Sequence, residues 1–80
     1  MDYSYEEFLE DLSIGREVEF TYKGQNYYIG RGTGKFMFWK FHDPTSEIMG
    51  KNVEDLLQKV KLDGKSIIEV WELIEVDFVF

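Results

Sequence analysis

The sequence predicts a small α+β domain in which a mostly antiparallel sheet carries helices on one face. Ser4 and Ser66 each begin a Ser-x-x-Glu pattern, in which serine and glutamate satisfy the first backbone N–H groups of a helix. Elsewhere Val18, Phe20 and Tyr22 alternate with polar residues, which is typical of a strand with one buried face. The predicted order of elements is αβββααβ, in a single domain spanning residues 1–80.

The first half of the chain predicts one helix followed by a hairpin. Apolar residues recur at helical spacing over residues 4–13, and Gly15 supplies a left-handed stop. Strands are predicted over residues 16–22 and 26–31. The turn between them places Gly24 at a positive φ, as hairpin turns favour.

The middle of the chain predicts a third strand and a second helix. Both alternating sets of residues 35–41 are largely apolar, so this strand is expected to be central or covered on both faces. Pro44 is expected to end it, because proline cannot donate to a ladder and Asp-Pro favours a turn. Asn52 is predicted to cap the second helix, and the Asp63-Gly64 pair (residues 63–64) to break it.

The last segment predicts a third helix over residues 66–74 and a strand over residues 76–80, because the apolar period changes near Ile74. Several residues of the first part are also good strand formers, so one continuous strand through residue 80 is an alternative. Trp71 is predicted to be buried in the interface between helix and sheet.

Charge and composition narrow the functional classes. The net charge is −7, and eight of the nine basic residues lie in residues 23–65, whereas residues 1–22 hold seven acids. An acidic surface argues against nucleic acid as the partner, and no apolar run approaches the ~20 residues of a membrane span. The absence of cysteine excludes disulfides and thiolate metal sites and suits a cytoplasmic protein.

No catalytic or cofactor motif is present. Residues 30–35 are rich in glycine, but Ile29 stands where a phosphate-binding loop needs its first glycine and Phe36 where it needs a hydroxyl. We interpret this stretch as a hairpin turn. His42 lies beside Asp43 but lacks further ligands or a nucleophile. The sequence therefore predicts no enzyme, no cofactor and no metal.

The remaining functional hypothesis is that the chain is a module that binds another protein. An acidic face would attract a basic partner, although the same acidity also serves solubility. Six acidic residues are the predicted partner-binding residues: Glu6, Glu7, Glu10, Asp11, Glu17 and Glu19. The alternative is a sheet that stacks nucleic-acid bases, for which the residues are Tyr28, Phe36, Phe38 and Lys40. The oligomeric state, and whether the aromatic face of the sheet is exposed, are left open.

Three segments carry a resemblance to known proteins. Residues 14–27 (IGREVEFTYKGQNY), 53–57 (VEDLL) and 63–71 (DGKSIIEVW) together resemble short immunity-like proteins of Gram-positive bacteria, some encoded beside secreted polymorphic toxins. The resemblance implies that this chain neutralises a toxin domain, which would be basic if it acts on nucleic acid. It implies no active-site residues. A stand-alone domain with a role unrelated to toxins is a further alternative.

Overall fold

A computed structural model describes residues 3–80. Helix α1 (Tyr5–Ser13) begins with the predicted capping box. The backbone N–H of Glu7 donates to the Ser4 hydroxyl at 3.1 Å, and the backbone N–H of Ser4 donates to the Glu7 carboxylate at 3.2 Å. The chain leaves the helix through Gly15, at φ 92°. Both predicted ends of this helix are therefore confirmed.

Five strands form one antiparallel sheet: β1 (Val18–Tyr22), β2 (Gln25–Gly32), β3 (Lys35–Lys40), β4 (Asp43–Gly50) and β5 (Ile74–Val79). Their order in space is β4-β3-β2-β1-β5, so β4 and β5 are the edges. This confirms the α+β class and the antiparallel sheet. Lys23 and Gly24 turn from β1 into β2 with φ of 49° and 78°, and the predicted positive φ of Gly24 is confirmed.

Strand β4 is missing from the predicted order αβββααβ, which is wrong in this segment. Pro44 lies inside β4 and does not prevent it, because an edge strand pairs on only one side and tolerates a residue without an N–H. Ser46 secures the start of the strand. Its hydroxyl accepts the backbone N–H of Lys40 at 2.7 Å and donates to the carbonyl of Asp43 at 2.7 Å.

The remaining helical segments are short. Helix α2 (Val53–Lys59) begins at Asn52, whose side chain accepts the backbone N–H of Asp55 at 2.7 Å, so the predicted cap is confirmed. The Ser66 pattern also forms reciprocal bonds with Glu69. A 3₁₀ helix (Ile68–Leu73) follows, with Ile67 at its N-cap position, and it is shorter than the predicted third helix. The chain becomes β5 at Ile74, which rules out one continuous strand.

One core joins the sheet to the helices. Val18 and Phe20 of β1 pair with Ile29 and Tyr27 of β2, so these side chains share one face of the sheet. The buried residues of the helical segments join the same cluster. Its members are Phe8, Leu12, Val18, Phe20, Tyr22, Ile29, Phe38, Leu56, Val60, Leu62, Ile67 and Val70. The residues that alternate with them on the strands lie on the opposite face, which we call the open face.

Trp71 is half-buried, which corrects the prediction that it is buried between helix and sheet. Its ring packs against aromatic residues of α1, with centroid distances of 5.0 Å to Phe8 and 5.4 Å to Tyr5. The 3₁₀ helix places Trp71 beside α1, where only part of the ring is covered. Trp71 therefore joins two helical segments at the margin of the core.

Candidate binding surfaces

Four of the six predicted binding residues lie on α1. Two of these are already engaged. Glu7 serves the capping box, and the Asp11 carboxylate accepts the Tyr3 hydroxyl at 2.7 Å. Burial and this bond raise the pKa of Tyr3. Glu6 and Glu10 are exposed and form no ion pair within residues 3–80.

The other two predicted residues lie on the opposite side of the molecule. Glu17 precedes β1 and Glu19 lies within it, and both alternate with Val18 and Phe20, which face the core. Glu17 and Glu19 therefore belong to the open face, whereas the acids of α1 lie in the helical layer. The structure does not bring the six residues into one surface.

An aromatic pair lies on the open face across the centre of the sheet. Tyr28 of β2 is the register partner of Trp39 of β3, and their rings stack with centroids 4.1 Å apart. A Cβ at Gly30 would lie 2.6 Å from the Tyr28 hydroxyl and 2.8 Å from Cγ of Glu17. Because Gly30 has no side chain, the ring of Tyr28 can lie over this position, with its hydroxyl toward Glu17. Burial, followed by the nearby Glu17 carboxylate, raises the pKa of Tyr28 to about 12.

Apolar side chains extend the open face on both sides of this pair. Met37 and Met49 are register partners on β3 and β4, and Met37 lies over Gly32, where a Cβ would be 2.7 Å from its terminal methyl. At the other edge, Phe78 and Phe80 stack with centroids 5.9 Å apart and are mostly exposed. Methionine and phenylalanine give such a face adaptable apolar contact area.

Carboxylates lie between the two apolar groups. Glu19 is the register partner of Tyr28 on one side and of Phe78 on the other. Beside them, the Thr21 hydroxyl donates to the Asp77 carboxylate at 2.6 Å, where a bulge interrupts the pairing of β1 and β5. Glu17 and Glu19 have no ion-pair partner in the described part of the chain. The open face therefore combines half-buried and exposed apolar side chains with two carboxylates that form no ion pair in that part of the chain.

The residues proposed for base stacking are divided between the two faces. Phe38 is in the core, and Phe36 packs against it. Lys40 pairs with Tyr27 on that same inner face, whereas Tyr28 lies on the open face. These residues do not form the single stacking surface that the nucleic-acid alternative requires.

Two other sequence candidates lie in turns. Thr33 and Gly34 connect β2 to β3, so the hairpin interpretation of the glycine-rich stretch is confirmed. His42 is exposed in the turn between β3 and β4, at φ 65°. Among residues 3–80, no group of three or more His, Cys, Asp or Glu side chains is placed to hold a metal ion.

The sequence alone missed most of the open face. The alternation in residues 35–41 groups Met37 with Trp39, which is a usable signal. Met49 was missed because β4 was not predicted. Phe78 is assigned to the open face only by the bulge in β5, which sequence periodicity does not indicate.

No protein family, curated protein or solved structure matches this chain. The resemblance to immunity-like proteins therefore stays a prediction. None of the helices within residues 3–80 is long and apolar enough to cross a membrane.

Proposed function

We propose that this chain is a non-enzymatic binding module whose open face docks a basic protein. The observation that supports it best is the position of Glu17 and Glu19 between the half-buried aromatic pair and the exposed phenylalanines of the open face. Aromatic residues and methionines are enriched in the centres of protein interfaces. Uncompensated carboxylates beside them would speed the approach of a positively charged surface.

The partner class that fits best is a toxin domain that acts on nucleic acid. Such a domain needs a basic surface to bind phosphates, and a chain with net charge −7 would be attracted to it. The resemblance of residues 14–27, 53–57 and 63–71 to immunity-like proteins supports the same class. An inhibitor of this kind acts by covering the toxin's surface and requires no catalytic group of its own.

The test is a search for a toxin-like gene beside the gene for this chain, followed by co-expression of the two proteins. The chain should restore growth and co-purify with the toxin, and the complex should weaken as salt rises. The absence of any toxin-like gene beside it, or failure to restore growth, would reject the immunity assignment.

Matched variants locate the surface that binds. Phe78→Ser removes an apolar group from the open face, where it is 59% exposed, whereas Ile14→Ser removes one that is 64% exposed outside the strands. Phe78→Ser should weaken the complex about tenfold, and Ile14→Ser should leave it unchanged. Equal effects would reject the open face. Tight, salt-sensitive binding of single-stranded RNA by the purified chain would instead favour the nucleic-acid alternative.

A further inference from the structure

A groove of about 850 Å³ runs between α1 and α2, in the layer opposite the open face. Its lining is largely apolar, and each helix contributes residues one turn apart, which line the same side of a helix. The apolar lining residues are Tyr5, Leu9, Val53, Leu57, Ile67 and Ile68.

The groove leaves part of the apolar area of its lining residues exposed. Ile68 is 58% exposed, and Leu9 and Leu57 are half-buried at the margin of the core. Burial of such neighbouring side chains against another apolar surface is favourable, by roughly 25 cal/mol for each Å² removed from water. A contiguous apolar groove on a small protein is typical of an interaction site.

The charged residues that line the groove favour a ligand with positive charge. Glu10 of α1 and Glu54 of α2 line it from the two helices, and neither forms an ion pair within residues 3–80. Lys61 is the one basic residue among the lining residues described. A ligand for this groove therefore has an apolar side facing inward and positive charges along its flanks.

We infer that the groove between α1 and α2 is a docking site for a basic amphipathic helix of a partner protein. Helix α1 has nine residues and is about 14 Å long at ~1.5 Å per residue. That length matches two to three apolar anchors spaced i, i+3 or i+4, and i+7 on a docked helix. The site lies on the layer opposite the open face, so it is a second surface, able to act while the first is occupied.

The probe is a 14-residue amphipathic peptide with leucine at helical spacing and lysine elsewhere, titrated into the purified chain. A twin with glutamate in place of lysine is the charge control. The lysine peptide should bind and become helical, and the glutamate peptide should not bind. Equal binding of both would overturn the charge argument and the proposal with it.

Two matched pairs of variants separate docking in the groove from nonspecific attraction to an acidic protein. Ile68 lines the groove, whereas Leu73 lies on the same 3₁₀ helix outside it, with exposed fractions of 58% and 62%. Ile68→Ser should weaken binding about tenfold, and Leu73→Ser less than about twofold. Likewise Glu10→Gln should weaken binding several-fold at low salt, and Glu72→Gln, the same charge change outside the groove, should not.

Equal losses within either pair would overturn the groove as the site. Sedimentation of the chain without peptide tests another occupant. A dimer that Ile68→Ser dissolves, formed by a chain that does not bind the lysine peptide, would show that a second copy fills the groove, which also overturns the proposal. Met49→Ser, on the open face, should leave peptide binding unchanged. Failure of the groove proposal can therefore be distinguished from failure of the proposal that the open face binds a partner.

Discussion

Tyr28 and Trp39 stack across the centre of the open face, with ring centroids 4.1 Å apart. The pair lies beside Glu19 on β1 and beside Met37 on β3. It therefore stands between the carboxylate of Glu19 and the methionine of β3. A partner that docks here contacts both kinds of surface at once.

The free energy of unfolding should fall above pH 10. The pKa of Tyr28 is raised to about 12, whereas tyrosine in the unfolded chain has a pKa of about 10. Below about pH 10 Tyr28 is protonated in both the folded and the unfolded chain, so the free energy of unfolding is at its full value. Between about pH 10 and 12 the tyrosine of the unfolded chain loses its proton first, and the free energy of unfolding declines. Urea unfolding across this range measures the decline. Tyr28→Phe should make it less steep, and an unchanged slope would contradict the assignment to Tyr28.

Gly50→Ala should destabilise the fold by about 3 kcal/mol, at the upper end of overpacking costs. A Cβ at Gly50 would lie 2.6 Å from the backbone nitrogen of Leu56, so α2 itself would have to move. Gly30→Ala is the control, because its Cβ would meet side-chain atoms of Tyr28 and Glu17, which can rotate away, and should cost about 1 kcal/mol. Denaturant midpoints compare the two; a smaller loss for Gly50→Ala would show that α2 does not approach β4 this closely.

Trp71→Ala should destabilise the fold by about 2–3 kcal/mol. Truncation of a fully buried tryptophan to alanine would destabilise the fold more than this. The expected loss is smaller because Trp71 is half-buried and packs mainly on Phe8 and Tyr5. Trp39→Ala removes the same ring from the open face, outside the core cluster, and should cost less. Thermal and urea unfolding of both variants measure the difference, and equal losses would contradict the contact between the 3₁₀ helix and α1.

Reversing Glu17 and Glu19 to lysine should slow association with the basic partner about tenfold at low ionic strength, because these carboxylates lie on the proposed docking face. The double reversal of Glu6 and Glu10 changes the net charge equally in the opposite layer and should have a smaller effect. Stopped-flow association at low and high salt distinguishes the two, since screening removes both effects. Equal slowing would show that net charge alone attracts the partner.

The sequence predicts the local structure correctly where that structure depends on residues close together along the chain. The capping box at Ser4, the Ser66–Glu69 hydrogen bonds, the cap at Asn52 and the turn at Gly24 each involve residues at most three positions apart. Such hydrogen bonds and backbone preferences are present in the local pattern itself. The alternation of β1 and the change of period at Ile74 were predictable for the same reason.

Pairing between distant residues decided the rest. Strand β4 forms because β3 offers it an edge to pair with, a stabilisation that the Asp-Pro signal does not contain. The bulge in β5 turns Phe78 outward, and the register of β1 separates Glu17 and Glu19 from the acids of α1. The sequence by itself determined the class of fold, most element starts and the excess of negative charge. Only the tertiary structure decided which charges and aromatic rings share a surface, because the face of a strand residue depends on how its strand pairs and where the helices pack.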